Sequence, residues 1–128
     1  MNFLKPWNGQ LYAVLRIVAG FNFVWHGAQK MIGFPPGAPE DMPAMIVYVA
    51  GPIELIGGLL LIMGLAVRPV AFLCSGLMAA AYWLAHGTKA LLPIQNGGEL
   101  SIVYCFLFLF IASHGAGMWS VDAGRGDA

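Results

Sequence analysis

Five side chains that can ionise stand inside long apolar stretches of this sequence, where charge is hard to accommodate. They are Arg16, His26, Glu54, His86 and His114. A charged group in hydrocarbon costs several kcal/mol unless it pairs or faces a cavity, so each is a candidate functional residue. Histidine and carboxylate groups take up and release protons, and Glu99 adds one more at the rim of the last stretch. These residue types predict a proton relay, formed by His26, Glu54, His86 and Glu99.

The elements that must position these groups are four apolar stretches, residues 11–31, 44–65, 70–87 and 100–118. An apolar run of ~18 or more residues can cross ~30 Å of hydrocarbon as a helix. Hydrophobic residues make up 59% of the chain and charged residues 9%, against about 25% charged residues in a soluble domain. Short connections rich in proline and glycine join antiparallel neighbours. The predicted fold is therefore all-α: a single integral membrane domain over residues 1–128, an up-down-up-down four-helix transmembrane bundle.

The charge distribution bears on partners and orientation. The formal net charge is zero, which argues against nucleic acid as a partner and leaves the lipid bilayer as the first one. With four crossings both termini share one side with Lys5, Arg68 and Arg125, while Lys30 and Lys89 lie on the other side. The positive-inside bias then favours cytoplasmic termini in the cell (inner) membrane.

Depth along the helices predicts one polar seam inside the bundle. At ~1.5 Å per residue, Arg16 lies ~8 Å and Glu54 ~16 Å from the terminal side. On the same count His26 and His86 lie at ~22–24 Å. Small residues share the helix faces of these polar groups, as is typical of close helix contacts in membranes.

A purely structural reading of this seam stays open. Arg16 and Glu54 would then form an ion pair that fixes the helix register. The intramembrane histidines would be hydrogen-bonded packing residues, and Glu99 a first-turn acid favoured by the helix dipole.

Metal and cofactor motifs are not recognisable in this sequence. No two of its histidines and carboxylates share a short spacing such as H-x-x-x-H or E-x-x-H, so no metal site is predicted. The chain has no flavin or nicotinamide fingerprint, no haem C-x-x-C-H and too few cysteines for an iron–sulfur cluster. Its two cysteines, Cys74 and Cys105, differ by ~14 Å in predicted depth. They are therefore predicted not to pair, because a disulfide needs Cα atoms within about 7 Å.

Short motifs follow one another along nearly the whole chain. They are Leu15-Arg16, His26-Gly27 and Lys30; Gly51 to Gly58 with Glu54; Gly64-Leu65 and Arg68-Pro69; Ala85-His86; Asn96-Gly97-Gly98-Glu99; and Gly115 to Asp122. In this order they resemble the DoxX family of small bacterial and archaeal membrane proteins. The resemblance implies a four-helix multi-pass membrane protein. Some members look like membrane subunits of thiosulfate:quinone oxidoreductase, and others are associated with membrane oxidoreductase complexes that handle thiols or oxidative stress.

The resemblance further implies a role beside quinone. The chain would be at most the quinone-side membrane subunit of an oxidoreductase complex and would anchor a soluble or membrane redox partner. A quinone headgroup would enter near His26, His86 and Glu99. The predicted quinone pocket consists of Arg16, Trp83 and Phe106.

Two other functions stay open at this stage. Distant relatives look like cargo or assembly factors, which implies a scaffold that docks partners through the proline-rich residues 35–41. The polar seam could instead conduct protons or a small solute. Glycine-rich helix faces also allow a homo-oligomer without requiring one.

Overall fold

The computed structural model describes residues 1–128 and consists of helices without any strand. A 3-10 helix, Asn2–Trp7, leads into α1 (Asn8–Ile32). A π-helical segment, Ile46–Ala50, continues as α2 (Gly51–Met63), and α3 covers Val67–Ala85. The short α4 (Pro93–Asn96) precedes α5 (Glu99–His114), and α6 covers Val121–Arg125. The prediction of an all-α chain is confirmed.

Two helical segments are long and apolar enough to cross a membrane, Ile46–Met63 and Val67–Ala85. The helix α5 is apolar but has 16 residues, and α1 has 25 residues but is less apolar. Length and composition therefore support two of the four predicted crossings.

Helix ends fall at glycines, and two bounds differ from the predicted spans. Gly33 adopts a left-handed conformation with φ 68°, and α1 ends just before it. The fourth span was predicted to reach residue 118, but α5 ends at His114 because Gly115, with φ 98°, leaves the helix. The second span begins at residue 44 as predicted, although residues 46–50 form a π-helical turn before regular α-helix resumes at Gly51. The third span was predicted from residue 70, but α3 begins at Val67.

Helices α1 and α2 run in opposite directions and approach closely through glycines. A Cβ placed on Gly58 would lie 2.7 Å from the carbonyl oxygen of Gly20. Further along α1, Gly27 lies directly against the backbone of Leu55. Small residues at these positions let the two backbones pack together, as expected for helix contacts in a membrane protein.

Helices α3 and α5 are also antiparallel, and their register corrects the predicted depths of the cysteines. Ser75 Oγ donates to the carbonyl of Cys105 at 2.7 Å and lies 3.6 Å from its Sγ. Cys105 thus lies at the level of Ser75, and the predicted offset of ~14 Å from Cys74 is wrong. The offset assumed a helix to residue 118, whereas α5 ends at His114. Both cysteines are free, and Cys74 is fully buried with its sulfur against Gly57.

The core is small, and large apolar side chains cover much of the outside. Only 26 of 128 residues are buried, with Phe23, Leu61 and Phe108 among the fully enclosed ones. Many large apolar residues elsewhere are exposed, such as Leu84 at 69% and Phe72 at 66%. Soluble monomers rarely present apolar surface on this scale. This exterior calls for lipid or an apolar partner.

Candidate functional site

Arg16, in the first half of α1, is fully buried and binds carbonyl groups rather than an acid. Its guanidinium donates five hydrogen bonds of 2.5–3.3 Å, to the carbonyl oxygens of Leu61, Ile62, Ala116, Met118 and Trp119. Arginine has five N–H donors, so the full capacity is used. The expected ion pair of Arg16 with Glu54 is therefore wrong, and the guanidinium has no free donor for a quinone.

The residues around Arg16 form a network of hydrogen bonds at the end of the molecule where both chain termini lie. We call this end the terminal end. The Tyr12 hydroxyl donates to the carbonyl of Gly115 at 2.5 Å. The carboxylate of Asp122 accepts from the N–H groups of Ala66 and Val67, each at 2.9 Å, and so caps the start of α3. The motif from Gly115 to Asp122 thus ties the end of the chain to α1 and to the α2–α3 turn.

Glu54, in α2, forms its ion pair with Lys30 of α1. Lys30 Nζ lies 2.6 Å from Glu54 Oε2, and the two side chains are 15% and 6% exposed. Lys30 Nζ also donates to the carbonyl of His26 at 3.4 Å. Moving two charges out of water is costly unless they meet in good geometry. This Lys30–Glu54 pair is the one ion pair in the structure.

A cleft of about 380 Å³ opens between α1 and α5 at the same end of α1. It is lined by Asn22, Trp25, His26, Gln29, Pro35, Leu100 and Tyr104. We call it the His26 cleft. Lys30 lies one turn beyond His26 on α1 and bonds to its backbone carbonyl, while neither Lys30 nor Glu54 lines the cleft. The exposed imidazole of His26 can reach a molecule that enters from outside the bundle.

His86 lies in a separate network, at the connection between α3 and α5. Its Nδ1 lies 3.0 Å from the carbonyl oxygen of Asn96. Asn96 donates to the Tyr82 hydroxyl at 3.0 Å and accepts from the N–H of Gly98 at 2.8 Å. These bonds order the turn that leads into α5. Glu99 is exposed in the first turn of that helix.

The structure therefore brings together only some of the residues of the predicted relay. Lys30 binds the Glu54 carboxylate and the backbone carbonyl of His26, whereas the His86 imidazole binds the α3–α5 connection. No hydrogen bond joins any two of the four relay side chains, and Glu99 makes no side-chain hydrogen bond. The relay stays a prediction, with His26 and Glu54 as its closest members.

The predicted quinone pocket does not assemble from its three residues. Arg16 is enclosed by carbonyl groups at the terminal end. Trp83 is 65% exposed and packs edge-on against Tyr82. Phe106 lines an apolar groove between α3 and α5 to which neither Arg16 nor Trp83 contributes. These three side chains do not meet in this groove or in the His26 cleft.

The role of Lys30 was not predicted from the sequence, where this residue served only to assign the orientation of the chain and as part of a family motif. A signal was available in the spacing of Asn22, His26 and Lys30, which recur every four residues and share one helix face. A row of polar residues on one face of a helix, extending to the helix end, indicates that this face has a polar neighbour.

The helical fold, the apolar exterior and the buried charges together indicate a membrane protein. The chain belongs to the DoxX family, which it matches over residues 11–87. It is 39% identical over 128 residues to an uncharacterized protein of Haemophilus influenzae, covering 95% of this chain and 96% of the relative. It is 29% identical over 114 residues to the Bacillus subtilis protein named "Putative oxidoreductase CatD", covering 85% and 82%. No solved structure matches the chain.

Proposed function

We propose that this chain is the membrane subunit of an oxidoreductase complex and that its His26 cleft receives the headgroup of a quinone. In this proposal α1, α2, α3 and α5 cross the cell membrane in alternating directions, with both termini in the cytoplasm. The alternating helix directions, the apolar exterior and the family membership support that placement. The oxidoreductase name of the Bacillus subtilis relative supports the redox role.

The observation that carries the proposal is the composition of the His26 cleft. A quinone headgroup is a flat ring with two carbonyl acceptors, so it needs aromatic faces and N–H donors. The cleft offers the rings of Trp25 and Tyr104 and the polar groups of Asn22, His26 and Gln29. Pockets that combine apolar walls with a few convergent polar groups are typical ligand sites. Because the cleft opens on the outer surface, an isoprenoid tail could extend into lipid.

Protons and electrons would reach the ring by different routes. Reduction of a quinone to a quinol takes up two electrons and two protons, and the electrons would come from a redox partner that this subunit anchors. His26 is positioned to donate a proton because its imidazole lines the cleft. The Lys30–Glu54 pair lies one turn further along α1, outside the cleft, and would provide protonatable groups from which the imidazole is reloaded.

A scaffold or assembly role is the second candidate, and one observation favours it. Every buried polar side-chain atom already has a hydrogen-bond partner within the chain. Arg16 and Asp122 bind only the backbone of their own chain, which suits residues that hold helices in place. A scaffold would bind partners through exposed residues 35–41 and would need no quinone.

The test is the quinone content of the gently solubilised protein, read with its co-purifying proteins by mass spectrometry. We expect the wild-type chain to carry quinone and a redox enzyme. His26→Ala should lose the quinone while keeping its level in membranes, because the His26 side chain is exposed and lies at the surface of the cleft. Val18→Ala, a change of an exposed α1 residue outside the cleft, is the matched control.

Two results would contradict the quinone proposal. One is a wild-type complex that holds a partner protein without quinone, which would favour the scaffold. The other is a His26→Ala protein that keeps as much quinone as Val18→Ala. Replacing residues 36–41 by Gly/Ser, which keeps the cleft residue Pro35, separates the two candidates further. A scaffold should lose its partner protein through this change, whereas a quinone bound in the His26 cleft should be retained.

A further inference from the structure

A second cavity lies towards the terminal end of the molecule, on the outer face of α3 and α5. It is a groove of about 490 Å³ lined by Phe72, Phe106, Leu109, Phe110, Ala112 and Ser113. We call it the Phe106 groove. We propose that it binds one anionic phospholipid, with the phosphate on Arg68 and an acyl chain along the phenylalanines. The proposal uses the membrane placement argued above but not the redox role.

Arg68, in the first turn of α3, provides the phosphate-binding group. Its guanidinium is exposed and donates to the carbonyls of Ala112 at 3.2 Å, Ser113 at 2.6 Å and His114 at 3.3 Å. Two of these residues line the groove or its mouth, so the charge lies at the end of the groove. At least two of the five N–H donors remain free. Arginine donors in a fixed position bind phosphate strongly.

No carboxylate neutralises this guanidinium. The one ion pair of the structure joins other residues, at the far end of α1. The nearby carboxylate of Asp122 is occupied by the N–H groups of Ala66 and Val67. The chain end at Ala128 lies close to Arg68, beside Gly115, but forms no ion pair with it. The guanidinium can therefore still bind an anionic group from outside the chain.

The whole terminal end of the molecule favours anionic lipid. Four of the six basic residues lie there, Lys5, Arg16, Arg68 and Arg125, against two of the six acidic ones, Asp122 and Asp127. Trp7 and Trp119 are 57% and 60% exposed at this end, as is typical of side chains at the headgroup level. Basic residues near a leaflet surface attract its anionic lipids.

The dimensions and walls of the groove suit an acyl chain better than a second copy of this protein. From residue 113 to residue 106 the groove extends ~10 Å along α5, which fits within one leaflet of a core ~30 Å thick. Phe72, Phe106 and Phe110 are more than half exposed along it. Close helix pairs in membranes use small residues, whereas these bulky rings keep another helix at a distance.

The test is native mass spectrometry of the full chain titrated with phosphatidylglycerol or phosphatidylcholine. We expect the wild-type protein to retain one phosphatidylglycerol in preference to phosphatidylcholine. Arg68→Gln should lower that preference about fivefold, the effect of one basic residue near an anionic surface. Lys89→Gln, which removes an exposed basic residue at the opposite end, is the matched control and should leave the preference unchanged.

A second variant covers the case in which Arg68→Gln fails to fold. Ser113→Glu puts a carboxylate at the groove mouth while keeping the backbone carbonyl that Arg68 binds, and it should lower the preference equally. Equal retention of both lipids by the wild-type chain would overturn the proposal. So would an equal loss of preference in Lys89→Gln, or a lipid-free dimer as the dominant species.

Discussion

The Lys30–Glu54 pair allows a quantitative prediction of how a buried ion pair affects the free energy of unfolding of this protein. Removing one partner of a buried pair leaves an uncompensated charge and typically costs ~3–5 kcal/mol, whereas replacing both partners by neutral groups costs far less. The Glu54 side chain is 6% exposed and the Lys30 side chain 15% exposed. Lys30→Met strands the more deeply buried carboxylate, so we expect it to cost about 4 kcal/mol of unfolding free energy.

The reverse change, Glu54→Gln, should cost less, about 2–3 kcal/mol, because the long side chain of Lys30 can turn outward to solvent. The double variant should lie within about 1 kcal/mol of the wild-type chain. The double variant should therefore be far less destabilised than the sum of the two single changes, a difference that a double-mutant cycle measures directly. Reversible unfolding in mixed micelles with increasing SDS provides the four free energies.

Two results would refute this reasoning. Single variants that unfold like the wild-type chain would show that the two side chains are not paired in the membrane. A double variant as unstable as the sum of the single ones would show that they do not interact. The quinone content of the stable double variant tests whether the pair also has a function. If quinone is retained, the pair serves stability alone; if quinone is lost, the pair contributes to quinone binding at the His26 cleft.

Three further predictions concern the structural contacts. Arg16→Lys keeps the charge but has three donors for five carbonyl groups, so we expect about 3 kcal/mol of destabilisation, read as faster limited proteolysis. Gly27→Ala would push α1 away from the backbone of Leu55 and should cost about 3 kcal/mol, whereas Gly76→Ala, with nothing within 4 Å of its Cβ, should be neutral or stabilising in the same unfolding assay. Asp122→Ala removes the cap of α3 and should cost about 1–2 kcal/mol, with unchanged lipid preference in native mass spectrometry as the check that Arg68 is undisturbed.

The sequence was sufficient to predict the helical class and the family, because apolar runs, breakers and ordered motifs are local features. It predicted the order of the long helices and their small-residue faces, and contacts such as Gly20 against Gly58 agree with those faces. The exact end of α5 was not predictable from hydropathy, since Ala116 and Met118 continue the run without a charged residue. Only the conformation of Gly115 sets that end.

The partners of the buried charges were harder to predict, because pairing depends on three-dimensional register rather than on residue type. Matching Arg16 with Glu54 assumed that the long arginine side chain would bridge a depth difference of ~8 Å to reach an opposite charge. In the structure Arg16 donates to backbone carbonyl oxygens, and Glu54 pairs with Lys30 instead. Backbone acceptors of this kind cannot be identified from the charged residues of the sequence. The aromatic rings of the predicted quinone pocket were placed by depth alone, without the helix rotation that separates Trp83 from Phe106.

The five bonds of Arg16 also constrain the order in which the chain can mature during synthesis. Three of the acceptors, on Ala116, Met118 and Trp119, belong to the last part of the chain to leave the ribosome. Until then the first helix carries a cation whose donors are mostly unmatched, and such a helix is costly to hold in lipid. Insertion of α1 into the membrane should therefore remain reversible until the segment after α5 folds back onto α1 and binds Arg16. A chain truncated before Gly115 would leave the first helix exposed to membrane quality control even though all four long helices had been made.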